Sequence, residues 1–199
     1  QRCESLPTPA KAHRDNRNRC GQSANFCEEN IWHLCKNPAL ADFSKKVLIV
    51  SNSRSYCPFK FQKSINNDET VWWNYHVILL AATSGSALIY DFDSTLAVPI
   101  SGSEYMQLTF GETVNFSEDL LPCFKVLDAS DYLNSFVSDR SHMRDKDGNW
   151  LSPPPHWPSI GKNGDLPLPA LMDFSQSSKE RIYSLEEMMT LVALLTIPN

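Results

Sequence analysis

The sequence predicts an α+β domain built around an antiparallel sheet that is covered on both faces. Two apolar segments, "TVWWNYHVILLAAT" at 70–83 and "ALIYDFD" at 87–93, flank the turn signal "SGS" and predict a β-hairpin. Both faces of each predicted strand carry apolar residues, which indicates that both faces are buried. Helix-start signals followed by apolar stripes at 25–35 and 184–195 predict the helical part.

Composition and charge predict one soluble domain that binds neither nucleic acid nor membrane, and we expect this domain to be a monomer. A chain of 199 residues with 42% hydrophobic and 21% charged residues is typical of a single globular domain. The net charge of −5 and the lack of a Lys/Arg cluster disfavour a nucleic-acid partner. No apolar run is long enough for a membrane span. Residues 1–22 are polar and aperiodic and predict a flexible arm ahead of a single domain at 23–199.

The six cysteines predict a protein of a reducing compartment. Their density is below that of a disulfide scaffold, and the lack of a C-x-x-C pair disfavours a structural zinc site. Cys35, Cys57 and Cys123 lie in apolar surroundings and are predicted to be buried thiols. We therefore expect a cytoplasmic protein, with the nucleus as a further location.

The first predicted helix carries a cysteine in its opening turn. Asn25 and Glu28 have the spacing of a capping box, and "NP" at 37–38 ends the helix. Its apolar stripe contains Cys27, Ile31, Leu34 and Cys35. Cys27 therefore lies where the partial positive charge of the helix dipole favours a thiolate.

The predicted hairpin places one histidine and two aspartates on the same face of the sheet. A turn centred on "SG" at 84–85 sets His76 opposite Asp93, whereas a turn one residue earlier sets His76 opposite Asp91. In both registers the histidine and the aspartates are about 5–8 Å apart at the backbone. Further strands are predicted at 45–52 and 56–61.

A second capping box, "SLEE" at 184–187, predicts the closing helix. The apolar stripe of this helix contains Leu185, Met188, Met189, Val192 and Leu195. The segment 138–158 is polar and proline-rich with two tryptophans, which is typical of a functional or mobile loop.

Cys27, His76 and one of the two aspartates, Asp91 or Asp93, have the residue types of a thiol catalytic triad. In such a triad the histidine acts as the base, and the carboxylate orients the imidazole. The order of a cysteine on a helix, a histidine on a strand and an aspartate on the next strand is that of papain-like and transglutaminase-like folds. The residues alone do not choose between the two aspartates.

Simpler interpretations compete with the triad. A single cysteine on an apolar helix stripe is more often a core residue. The adjacent Glu28 and Glu29 would raise the pKa of the thiol unless they point away from it. Spacing also leaves His142, His33 and His156 as alternative bases.

Five stretches of the chain resemble the protein N-terminal glutamine amidohydrolases. They occur in the family's order and span residues 27–158, and the closing helix also fits. The stretches are "CEENIWHLC" at 27–35, "VWWNYHVILL" at 71–80, "IYDFD" at 89–93, "DYLNSFVSDRSHM" at 131–143 and "GNWLSPPPHWP" at 148–158. "CEEN" and "SDRSHM" are specific as a pair, because generic globular composition does not require them.

The resemblance implies an α+β, papain/transglutaminase-like cysteine hydrolase fold with a central, mostly antiparallel sheet between helical layers. It implies that 23–199 is a single catalytic domain with Cys27 as the nucleophile, His76 as the base and Asp91 as the orienting carboxylate. Asn74 stands where the family usually has an acid. This departure leaves the triad intact but would alter the charge near the site.

The implied reaction hydrolyses the side-chain amide of N-terminal glutamine in proteins and peptides. The products are N-terminal glutamate and ammonia, and the family's products feed the N-degron degradation pathway. This thiol chemistry needs no metal and no organic cofactor.

A restriction to chain ends requires a group that binds the α-ammonium of the substrate. A carboxylate is the obvious partner. The candidates, which the sequence does not rank, are Glu28, Asp93 and Asp139. Trp150 and Trp157 are candidates for the pocket wall, and Arg140 is expected to fasten the loop that contains it.

Three rival interpretations remain on the sequence alone. A papain-like protease or a transglutaminase would cleave peptides or join glutamine to amines. A non-catalytic reader of protein N-termini would bind glutamine-ended peptides without releasing ammonia. A secreted domain would hold its cysteines in disulfides, which a count of free thiols would reveal.

Overall fold

The structure is a computed structural model that describes residues 23–65, 69–161, 164–175 and 181–198. The predicted arm at 1–22 lies outside the described residues. The helices are α1 (Cys27–Cys35), α2 (Gly102–Phe110), α3 (Ala129–Ser135), α4 (Leu168–Leu171) and α5 (Leu185–Leu195). The strands are β1 (Ser44–Ser51), β2 (Cys57–Phe59), β3 (Val71–Trp73), β4 (His76–Thr83), β5 (Ser86–Tyr90), β6 (Ile100–Ser101), β7 (Cys123–Asp128), β8 (Phe136–Val137), β9 (Leu166–Pro167) and β10 (Ile182–Ser184).

A six-stranded antiparallel sheet forms the centre of the fold. Its strand order is β10–β7–β1–β4–β5–β6, and each neighbouring pair runs antiparallel. Strands β1 and β4 lie in the middle, where their apolar runs are buried almost along their whole length. The predicted α+β class is therefore confirmed. Two smaller sheets, β2–β3 and β8–β9, lie beside the central one.

Helices cover both faces of the central sheet. Alternate residues of each strand point to opposite sides, so the apolar side chains lie on both faces and both faces are buried. On one face, side chains such as Val47 and Leu79 pack against α1, α3 and α4. On the other face, side chains such as Leu48 and Ile78 pack against α2 and α5. The prediction of a sheet buried on both faces is confirmed. The ends of the middle strands are thus held between two helical layers.

The hairpin has the first of the two predicted registers. Thr83 pairs with Ser86, so the turn is centred between residues 84 and 85, and Gly85 has a φ of 76°. Strand β5 ends at Tyr90, however, and the two aspartates that follow lie in the segment beyond the strand.

The predicted single strand at 70–83 is wrong, because the chain leaves the sheet between β3 and β4. Strand β3 pairs with β2 instead of continuing into the central sheet. On β3, the ring of Trp72 stacks on Tyr56 at 4.6 Å and on Phe116 at 5.5 Å between centroids. The break sets the start of β4, and with it His76, at the end of the sheet.

The two predicted helix starts have different outcomes. Helix α1 begins at Cys27 without a side-chain cap, so the capping box predicted from Asn25 is wrong. Asn25 has a φ of 64° and donates its side-chain amide to Ser152 Oγ at 3.2 Å. Helix α5 has the predicted capping box, in which Ser184 and Glu187 bond to each other's backbone N–H groups.

Within the described ranges, none of the helices has the length and apolar character that a bilayer crossing requires.

Replacing Ser184 by alanine should destabilise the protein by removing the N-cap of α5. The expected loss in the free energy of unfolding is about 1 kcal/mol, measured by denaturant titration. Ser103→Ala is the matched control, because Ser103 is exposed within α2 and is not the N-cap of that helix. Equal effects of the two substitutions would contradict the capping role.

Candidate active site

A cavity of about 300 Å³ opens where the start of α1 meets the start of β4. Its polar lining includes Cys27, His76, Asp93 and His142. Its aromatic lining consists of Trp72, Trp73 and Tyr75, which precede His76 along the chain. The cavity therefore brings a thiol, an imidazole and a carboxylate together beside a largely aromatic wall.

Cys27 is a free, partly buried thiol at the first position of α1. Its Sγ donates to Glu28 Oε2 at 3.5 Å. Burial raises the pKa of the thiol well above its ordinary value, and the charges of Glu28 and Asp93 raise it further, against a backbone hydrogen bond from Val77. The predicted effect of the helix dipole is therefore outweighed, because burial and two carboxylates favour the neutral thiol.

The other described cysteines are also free thiols. Cys35 and Cys57 are buried, as predicted, whereas Cys123 is only partly buried. Neither Cys35 nor Cys57 lines the cavity that holds Cys27.

His76 is anchored by Asp91. Its Nε2 lies 2.8 Å from Asp91 Oδ1, and both side chains are almost fully buried. Burial by itself lowers the pKa of His76, but the charge and the hydrogen bond of Asp91 outweigh it and raise that pKa. With Nε2 engaged by Asp91, Nδ1 is the ring nitrogen left to exchange a proton with a group in the cavity.

Asp91 is held by three further donors. Tyr105 Oη donates to Oδ2 at 2.8 Å, and Gln62 Nε2 donates to the same oxygen at 3.2 Å. The backbone N–H of Asp93 donates to Oδ1 at 3.0 Å. Burial opposes the charge of Asp91, but His76, Tyr105 and the backbone N–H of Asp93 hold the pKa of Asp91 below its ordinary value. The carboxylate therefore stays ionised behind the imidazole.

The adjacent glutamates of α1 are both fully buried and have different partners. Glu29 is bound by the Arg140 guanidinium through two hydrogen bonds of 2.8 and 2.7 Å, and Ser138 Oγ and Trp157 Nε1 donate to it at 2.8 and 2.6 Å. This confirms that Arg140 fastens the loop. Glu28 instead accepts from Tyr75 Oη at 3.2 Å.

Glu28 lies between the thiol and a second histidine. Its Oε1 is 3.5 Å from His142 Nε2, and neither atom has a hydrogen-bond partner. Burial raises the pKa of Glu28 to about 7, and the neighbouring charge of Glu29 contributes to this. The carboxylate is thus sealed behind Cys27 and does not line the cavity.

The chain matches the family model described as N-terminal glutamine amidase over residues 22–195. It belongs to that family. Relatives named protein N-terminal glutamine amidohydrolase are similar over most of its length. The relative from Danio rerio is 38% identical over 162 residues, which is 79% of this chain and 80% of that protein. The relative from Bos taurus is 36% identical over 194 residues, or 91% of this chain and 93% of that protein.

A third relative of the same name, from Homo sapiens, is 38% identical over 162 residues, covering 79% of this chain and 77% of that protein. These matches confirm the resemblance inferred from the five sequence stretches. In this member of the family, the thiol of Cys27 and the imidazole of His76 line one cavity.

Asp139 and Trp150, two of the residues suggested for substrate binding in this amidase family member, lie outside the cavity. Asp139 is exposed, and its Oδ1 accepts from the backbone N–H of Ser141 at 2.9 Å. Trp150 is covered by the guanidinium of Arg144 at 3.8 Å from its ring centroid. The loop at 138–158 instead contributes His142 and Met143 to the cavity.

Sequence reasoning missed the residues that support Asp91 and the residues that form the aromatic wall. Trp72 and Trp73 lie within a stretch quoted for the family, so their position just before His76 was the available signal. Tyr105 and Gln62 gave no local signal, because each reaches Asp91 from a distant segment of the chain.

His76, Asp91 and Asp93 each place one possible ligand atom within 4.8 Å of the other two. This spacing would admit a metal ion. However, the short contact between His76 and Asp91 already uses one possible ligand atom of each residue. The geometry is better explained by an imidazole that a carboxylate orients.

Replacing Asp91 by asparagine should lower the pKa of His76, because the charge of Asp91 is the largest of the contributions that raise this pKa. The pKa would be measured by NMR titration of the imidazole. Tyr105→Phe is the control, since it removes one donor to Asp91 but keeps the negative charge. An unchanged His76 pKa in the Asp91→Asn protein would show that Asp91 does not control the imidazole.

Proposed function

We propose that this protein hydrolyses the side-chain amide of N-terminal glutamine in proteins and peptides, giving N-terminal glutamate and ammonia. The observation that best supports this proposal is that Cys27 and His76 line one cavity, while the buried Asp91 contacts the Nε2 atom of His76. The printed names of the relatives support the choice of substrate. Cys27 would be the nucleophile, His76 the base and Asp91 the orienting carboxylate.

The first step is a proton transfer coupled to attack. Because burial favours the neutral thiol, Cys27 holds its proton until a substrate is in place. His76 accepts that proton at Nδ1, and the raised pKa of its imidazole favours the imidazolium beside Asp91. Sγ then forms a bond to the side-chain carbonyl carbon of the glutamine, and the carbonyl oxygen becomes an oxyanion. Backbone N–H groups near Cys27 would stabilise this oxyanion.

The second half of the reaction releases ammonia and restores the thiol. His76 gives its proton to the amide nitrogen as the carbon–nitrogen bond breaks, which leaves a thioester on Cys27. A water molecule then gives a proton to His76 and attacks the thioester. The carbon–sulfur bond breaks, and His76 returns the proton to Sγ, so that glutamate and the free thiol form. All atoms come from the substrate and one water molecule, so this route uses no metal and no organic cofactor.

The fold is proposed to be of the papain/transglutaminase-like type. Its support is the order of the site residues, with the cysteine at the start of α1, the histidine at the start of β4 and the aspartate just after β5. The product, N-terminal glutamate, would feed the N-degron pathway. We also propose that the protein acts as a monomer in the cytoplasm or the nucleus.

The proposed activity predicts a mass change in a glutamine-started peptide. Incubation should convert its amide to a carboxylic acid with release of ammonia, whereas the same peptide with an acetylated amino terminus should not change. Mass spectrometry and an ammonia assay measure both. Cleavage of the peptide would favour a protease, cross-linking would favour a transglutaminase, and binding without chemistry would favour a non-catalytic reader.

Two cysteine variants distinguish the proposed nucleophile, Cys27, from a buried core cysteine, Cys35. Cys27→Ala should abolish ammonia release, because no other thiol among the described residues lines the cavity. Cys35→Ala should keep the activity, because Cys35 is buried in the apolar cluster under α1. Activity that survives in Cys27→Ala would reject the assignment of the nucleophile.

A further inference from the structure

Asp93 supplies a carboxylate to the cavity wall, and it is the only residue to do so among the described residues that line it. Of the other two candidate carboxylates, Glu28 is sealed inside the fold and Asp139 lies outside the cavity. Asp93 is partly buried, and no described side chain forms an ion pair with its carboxylate. Burial raises the pKa of Asp93, against the charges of His76 and Lys63. A cationic ligand group would relieve this cost.

The position of Asp93 fits the length of a glutamine residue. One of its carboxylate oxygens lies within 4.8 Å of a ring nitrogen of His76. In glutamine, four covalent bonds separate the side-chain carbonyl carbon from the α-nitrogen, a reach of about 5 Å. A carbonyl carbon placed for attack beside His76 therefore allows the α-ammonium to reach Asp93.

Asp93 also acts on the nucleophile. After burial, which is the largest cause of the raised pKa of the Cys27 thiol, the charges of Glu28 and Asp93 raise this pKa further and the backbone of Val77 lowers it. Glu28 cannot meet the substrate, because it is fully buried. Asp93 is the one of these two carboxylates whose charge a ligand in the cavity can neutralise.

We propose that Asp93 binds the α-ammonium of the N-terminal glutamine and that this ion pair releases the Cys27 thiol for attack. This inference rests on the proposed function and specifies how the same site recognises its substrate. An internal or acetylated glutamine brings no cation, so Asp93 stays unpaired and the thiol stays neutral. Recognition of the chain end and activation of the sulfur are then one event.

The first test compares two peptides that differ only at the α-amino group. One starts with glutamine, and the other carries hydrogen in place of that amino group. The wild-type protein should prefer the first in kcat/KM. In Asp93→Asn this preference should fall by at least about tenfold, because deamidation of the first peptide slows while the reaction of the second does not slow, since the neutral side chain no longer raises the pKa of the Cys27 thiol. Asp139→Asn is the matched control and should keep the preference.

The second test measures the thiol without any substrate. Iodoacetamide should alkylate Cys27 faster in Asp93→Asn than in the wild type at the same pH, as followed by peptide mapping. The same substitution thus slows deamidation and speeds alkylation. A loss of folding would also expose the buried thiols of Cys35 and Cys57, so alkylation of these two cysteines in the same peptide maps should stay as slow as in the wild type. Asp93→Ser should reproduce both effects as a second neutral variant.

Each test can contradict a different part of the proposal. An unchanged peptide preference in Asp93→Asn, or an equal loss of kcat/KM with both peptides, overturns the ammonium site. If neither Asp93 variant is alkylated at Cys27 faster than the wild type, the coupling between Asp93 and Cys27 is overturned. A wild-type protein that releases no ammonia from the glutamine-started peptide would instead overturn the proposed function, and the alkylation result would still report on Asp93.

Discussion

The contact between Asp91 and His76 is the interaction on which the rest of the site depends. His76 Nε2 lies 2.8 Å from Asp91 Oδ1, and both side chains are buried. This contact fixes the imidazole at the start of β4. A buried carboxylate is costly unless donors surround it, and here Tyr105 of α2 and Gln62 are among those donors. The helical layer opposite α1 therefore takes part in orienting the imidazole of His76. The cavity lies where β4 begins.

The thiol of Cys27 is neutral in the resting site. A reactive cysteine usually has a lowered pKa, but burial and two carboxylates raise the pKa of Cys27. Glu28 and Glu29 are neighbours in sequence, yet Glu29 anchors the loop through Arg140 while Glu28 lies against the sulfur. In the proposed mechanism, activation therefore comes from His76 and from the bound substrate rather than from the resting protein. Such a thiol is protected from unspecific reactions until the right ligand arrives.

Local patterns predicted the parts of the fold that local interactions decide. The turn at 84–85 set the hairpin register, and the Ser184 capping box opens α5 as expected. The cap predicted from Asn25 is wrong because this side chain bonds instead to Ser152, which is 127 positions away. The family resemblance chose Asp91 over Asp93, a choice that the hairpin register alone left open. The partners of Asp91 could not be predicted, because they meet it only in the folded chain.

The most direct test of the account is to trap the covalent intermediate. A single turnover with a glutamine-started peptide would be stopped with acid, and the protein would be examined by intact mass and peptide mapping. The account predicts a transient thioester adduct on Cys27 whose mass equals the peptide minus one molecule of ammonia. Release of ammonia accompanied by an adduct on a different residue, or by no adduct while Cys27→Ala remains active, would contradict it.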